Sequence, residues 1–233
     1  MCHIIIRMLR SVGGVIPVLT VLNAATVVPP LRAKVSVPPL ILAAQRHLSS
    51  THSYRQVSTL IITAGSKSPI SVTGTTIVLI RNGNRTRVYL ASTDAKGTAV
   101  AETVDTGTRI CTRSTTTPSW SCHSGHSISD NYSHGVDLTV AYGEHLWVTP
   151  LKAQMKWGQM CLAYALSNHT TALPIIGELW IAAASKYPVE RDITLTQSYE
   201  GRSSSGASRT VWSNENDPNL TIPDVPASSG LRL

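Results

Sequence analysis

A chain of 233 residues, 42% of them apolar and 14% charged, is long enough for one full hydrophobic core and too apolar for an ordinary disordered chain. Its formal charge of +7 is unevenly laid out: every Asp and Glu lies at or beyond Asp94, whereas Arg7, Arg10, Arg32, Lys34, Arg46, Arg55, Lys67, Arg81, Arg85 and Arg87 precede it. Such asymmetry points to a polyanion or an anionic surface as partner and names no reaction.

Residues 1–54 read as a basic arm, because Pro17, Pro29-Pro30 and Pro38-Pro39 each remove an N–H and restrain the preceding residue. Arg7 and Arg10 precede the uncharged run 11–31, with Ala24-Ala25 as small residues for cleavage. Residues 1–25 are therefore a candidate targeting segment, and residues 1–28 a candidate membrane contact. Around Leu40–Leu48 there is room for a short strand or one helical turn.

From 55 to 200 the texture is that of a single β-rich domain. Strands are expected at 57–64, 70–80, 86–93, 98–104 and 108–115, rich in Val, Ile and Thr and separated by turn residues. Asn82-Gly83 is a strong hairpin signal, since both residue types tolerate positive φ. A polar loop at 116–135 leads to an alternating strand at 136–142. A helix is then expected at 150–166, with Thr149 as cap, Pro150 in the first turn, and Leu151, Met155, Leu162 and Leu166 on one face. Residues 174–187 read either as a second helix or as a buried strand, GELWIAA. Strand 191–200 closes the domain, and 201–233 reads as a flexible Ser/Gly/Pro-rich tail. The fold class is mainly β: an antiparallel β-sandwich or jelly roll with one or two short helices. Phenylalanine is absent, so Leu, Ile, Val, five Trp and seven Tyr fill the core.

Candidate sites are sparse. Arg81, Arg85 and Arg87 gather at the 80–87 hairpin, where Arg85, Arg87 and Tyr89 share a strand face suited to phosphate and base contacts. With Arg32, Lys34, Arg46 and Arg55 they form the candidate nucleic-acid contact. Cys122, His123, His126 and His134 supply metal-ligand chemistry without zinc-finger spacing, so no metal or other cofactor is expected. Cys111 and Cys122 are close enough for a disulfide in an oxidising compartment. Asn84, Asn131, Asn168 and Asn219 open Asn-x-Ser/Thr sequons. Glu190 reads as offsetting Arg191 or Lys186 at a solvated edge. Walker, Rossmann, His-Glu-x-x-His and nucleophile-elbow motifs are all missing, so the chain is not expected to be an enzyme.

Three functions fit this pattern. The first is a self-assembling structural protein that contacts nucleic acid (RNA or another polyanion), such as a small viral coat protein in a virion or the cytoplasm, with copies of itself as partners. The alternative is a secreted or membrane-associated β-rich binding glycoprotein. The last is a metal-dependent enzyme or zinc-stabilised module.

Overall fold

The computed structural model describes residues 37–64, 71–83, 85–133, 137–139, 146–168, 175–199 and 202–226. Over these residues the chain runs α1 (Pro39–Ser50), β1 (Ser53–Ala64), β2 (Ser71–Asn82), β3 (Arg85–Thr93), β4 (Ala99–Asp105), β5 (Arg109–Ser114) and β6 (Ser121–Ser124). It continues through α2 (Ser127–Ser133), β7 (Leu146–Pro150), β8 (Gln154–Lys156), β9 (Gln159–Asn168), β10 (Ile175–Ala182), β11 (Pro188–Tyr199) and β12 (Arg202–Ser213).

All the pairings are antiparallel, and one path links β6-β5-β4-β3-β2-β1-β12-β11-β10-β9-β7, with β8 added to β9 as a hairpin. Two meanders therefore run outward from a central seam, where β1 pairs with β12 in the register Thr59↔Arg209. The expected antiparallel β architecture is present. Its strand order is that of paired meanders rather than the Greek keys of a jelly roll. An open sheet this wide rarely stays flat, and inner-face residues from β3 to β7 share one core cluster with α1.

Alternation assigns the two faces. Tyr54, Leu79 and Val88 lie in one cross-strand row, and Gln56, Ile77 and Trp212 in the next; both rows face α1. Ile41, Ala44 and Leu48 on α1 meet them and are fully buried. Burying an Ile or Leu side chain contributes roughly 1.5–3 kcal/mol. On the outer face Val78 and Val104 are covered by Ile222, from the extended segment that follows β12.

Several sequence expectations are corrected. The expected helix at 150–166 is the end of β7, the β8–β9 hairpin and most of β9. Its helical spacing was a coincidence of a strand buried on both sides: Leu166 joins the main core while Cys161 and Ala163 join a second cluster on the outer face. Within 174–187, Ile175–Ala182 takes the strand alternative and is followed by a turn at 183–185. Residues 39–54, expected within an arm, supply α1 and the start of β1, because Pro39 sits where a helix start tolerates it. Residues 202–213, expected as tail, form β12 in the middle of the sheet, where their small Ser, Gly and Ala residues fit between two strands. Residues 116–135 are not all loop, since they hold β6 and α2. Within the expected strand 136–142, residues 137–139 form a turn and the others lie outside the described residues.

Candidate functional site

The β8–β9 hairpin turns at Trp157-Gly158, with φ of 53° and 77°. Positive φ at both central positions is the requirement of a type I′ turn, which favours Asn-Gly or Gly-Gly. A Trp in this left-handed region carries a steric cost of about 1–2 kcal/mol. The residue is nevertheless 64% exposed. A strained, exposed aromatic at a hairpin tip is unexplained by packing alone.

Its other contacts hold the ring in place. The indole Nε1–H of Trp157 donates to Glu190 Oε2 at 2.7 Å, and Glu190 is 0% exposed. Lys156 Nζ and Arg209 Nη2 reach Glu190 Oε1 at 2.8 and 2.6 Å. The register explains the meeting: Trp180 faces Glu190 across β10–β11, and Asp192 faces Arg209 across β11–β12 on the same outer face. Lys156 Nζ also lies 3.6 Å from the Trp180 ring centroid, and the Arg209 guanidinium 5.9 Å from that of Trp157. Burial alone would raise the Glu190 carboxyl pKa, but hydrogen bonds from Lys156, Arg209 and Trp157 outweigh it and hold the carboxyl below its ordinary value. Asp192 moves the other way, pushed up by burial and by the neighbouring Glu190 charge.

A recess of about 360 Å³ opens beside this cluster, lined by Trp157 and Gln159 from the hairpin, Tyr187 and Val189 around the start of β11, and Trp212 and Glu215 from the end of β12 onward. That volume lies at the low end of the roughly 300–1,000 Å³ spanned by small-molecule sites. Tyr187 is only 6% exposed, and its hydroxyl has no hydrogen-bond partner among the described residues. Burial, with Tyr54 and Glu215 nearby, pushes its pKa up. Glu215 bonds His47 Nε2 through Oε1.

The residues expected to bind nucleic acid do not converge. Arg46 is exposed on α1, and Arg55, Arg85 and Arg87 lie on the outer face in the Val78–Tyr89 register. Arg81 is on the inner face, where it donates to Leu48 O and Thr51 O at the end of α1. Tyr89 donates its hydroxyl to Glu102 at 2.8 Å, and Arg113 holds the other Glu102 oxygen at 2.6 Å. Arg32 and Lys34 lie outside the described residues, as do residues 1–28.

Cys111 and Cys122, directly opposite across β5–β6, are joined by a disulfide. That removes Cys122 as a thiolate metal ligand. His126 instead pairs with Asp130 at 2.6 Å, His123 is exposed on β6, and His134 lies outside the described residues. Among the described residues no group of three His, Cys, Asp or Glu could hold a metal ion. Asn219 is exposed, whereas Asn168 is buried and its side chain accepts the Ile175 N–H at 3.0 Å. Asn84 and the side chain of Asn131 are not described. Glu190, expected at a solvated edge beside Arg191, is fully buried. Arg191 points to the opposite face, where it donates to Leu138 O.

No protein-family model and no curated protein sequence matches the chain. Among solved structures it is similar to MucB, at 13% identity over 81% of this chain and 59% of that one with a TM-score of 0.42. The complex of MucB with MucA(peri) gives 11%, 81%, 56% and 0.38. A DUF1329 family protein from Desulfovibrio piger gives 10%, 78%, 92% and 0.32. A domain described as an outer-membrane lipoprotein-sorting protein, from Vibrio parahaemolyticus, gives 8%, 78%, 92% and 0.29. The chain spans little more than half of the MucB chains.

The coat-protein reading is corrected, together with its virion or cytoplasmic location and its nucleic-acid and self-assembly partners. Among the described residues, the basic side chains on which that reading rested do not share a surface: Arg55, Arg85 and Arg87 lie on the outer face and Arg81 caps α1 on the inner one.

Proposed function

We propose that this chain is a secreted or membrane-associated β-rich binding protein, without catalytic activity, that holds a small ligand in the recess beside Trp157. One observation carries the reading: a strained, exposed Trp fixed by a fully buried carboxylate at the mouth of a recess. Binding sites need contact side chains locked by neighbours that do not themselves touch the ligand, and Glu190, Lys156 and Arg209 are placed to do this for Trp157. The Cys111–Cys122 bond supports an oxidising compartment, where disulfides persist. An exposed sequon at Asn219 suits the same location.

A thermal-shift screen of small soluble compounds tests the reading, with wild type beside Trp157→Asn. That substitution installs the residue pair the turn favours and removes the ring. At least one compound should raise the melting temperature of the wild type and leave the variant unmoved. A screen in which no compound stabilises the wild type, or in which both proteins respond alike, overturns it.

A further inference from the structure

Resting on the recess as a binding site, we infer that its ligand is a neutral saccharide ring stacked on Trp157. The ligand class follows from how the wall chemistry is arranged. Trp157 presents a broad exposed face whose orientation is fixed by its own N–H bond to Glu190, so little side-chain freedom is lost when a flat ring settles on it. Val189 and Trp212 give the recess an apolar side, while Gln159, Ser185 and Glu215 stand around it as hydrogen-bonding residues. An apolar wall edged by acceptors and donors matches a pyranose, which has a C–H face and hydroxyls at its edge.

Two other ligand classes fit less well. A cation would seek the aromatic faces, but both Trp rings of the recess already carry a guanidinium, Arg209 at 5.9 Å over Trp157 and Arg191 at 5.8 Å over Trp212. A second positive charge there meets repulsion. A fatty chain would cover Gln159 and Glu215 at the recess without adding a hydrogen bond to either, and desolvating polar groups without a new partner costs affinity. A neutral polyhydroxylated ring avoids both penalties, and its hydroxyls can bond Gln159 and Glu215 at the edge of the recess.

The test uses the full chain and four probes by titration calorimetry: cellobiose, maltotriose, choline and dodecanoate, followed by an array of neutral glycans. At least one neutral saccharide should bind the wild type. Trp157→Asn should weaken it by about tenfold or more and Trp157→Tyr by less, since the smaller ring retains part of the stack. Lys152→Gln, an exposed change outside the recess, should leave affinity unchanged. If choline or dodecanoate binds in a Trp157-dependent way while every neutral glycan fails, the saccharide assignment falls and the binding site stands. If no probe or glycan binds, both fall. Saccharide binding that is equal in the wild type and Trp157→Asn places the sugar elsewhere and also overturns the inference.

Discussion

Trp157 and Glu190 are 33 residues apart in sequence and 2.7 Å apart in space, joining a tryptophan that is 64% exposed to a carboxylate with no exposed surface. A buried carboxylate is stable only when its lone pairs are filled, and three donors from two strands and one turn fill those of Glu190. The cost of burying Glu190 is thereby offset by groups that also fix the hairpin against the sheet.

Glu190→Gln keeps the shape and removes the charge. Lys156 and Arg209 then lose their shared counter-ion, and hydrogen bonds involving a charged partner contribute about 1.5–3 kcal/mol each where they are protected from water. Arg209 is half-exposed, so part of that loss is screened. The variant should lose about 2 kcal/mol, which for a chain of this size lowers the melting temperature by roughly 4–8 °C. A calorimetric scan showing no change would mean that the carboxylate charge contributes nothing.

The pH dependence has a definite sign. The folded-state pKa of Glu190 is lowered from its ordinary 4.5, so its contribution is complete above that value and is lost as pH falls through the folded value. Asp192 opposes this: its raised pKa makes its ionised form unfavourable in the fold, and acid relieves that strain. The readout must therefore be local. The fluorescence difference between wild type and Trp157→Phe should be flat from pH 7 to about 5 and change below about 4.5 as Glu190 releases the indole. In a Glu190→Gln background the same difference should be flat throughout; a transition there would assign it to another group.

Arg81 and its hairpin neighbours should separate in a stability measurement. Arg81 is half-buried and donates to two carbonyls at the end of α1, groups that a helix leaves without internal partners. Burial lowers its pKa without threatening its charge. Arg81→Gln should destabilise by about 1–2 kcal/mol through the lost cap, while Arg85→Gln and Arg87→Gln should unfold at the wild-type denaturant midpoint. Equal midpoints for all three would return Arg81 to the exposed set.

The hairpin at Asn82-Gly83 and strands β1 to β5 were legible because alternation and turn residues agreed locally. The β8–β9 hairpin was not, for a physical reason. Leu151, Met155, Leu162 and Leu166 fall at helical spacing, and Trp157-Gly158 is not a residue pair that the turn normally selects. The signal that could have corrected it is the pair of polar residues Lys156 and Gln159 flanking Trp-Gly with a methionine next outward on each side, which the hairpin register pairs as Met155 with Met160. Glu190 was misplaced because its partners, Lys156 and Arg209, lie 34 and 19 residues away and are brought together only by the register of five strands, β8 to β12. The basic front half was legible as composition, yet composition carries no face. Register put Arg55, Arg85 and Arg87 on one side and Arg81 on the other.

The disulfide gives the last prediction, and it also separates the three described cysteines. Cys111 and Cys122 close a loop with a sequence separation of 11, between β5 and the terminal strand β6. Restricting the unfolded chain over a loop of that size is worth about 3 kcal/mol, so reduction should lower the melting temperature by roughly 6–12 °C. Cys161 is fully buried on the outer face, and burial pushes its thiol pKa up, which leaves little reactive thiolate. Iodoacetamide applied to the native protein at pH 8 should therefore leave Cys161 unmodified, and Cys111 and Cys122 should react only after reductant. Peptide mass spectrometry reads all three positions at once. Labelling of Cys111 or Cys122 before reduction would show the bond unformed, and would remove the main physical support for an oxidising compartment.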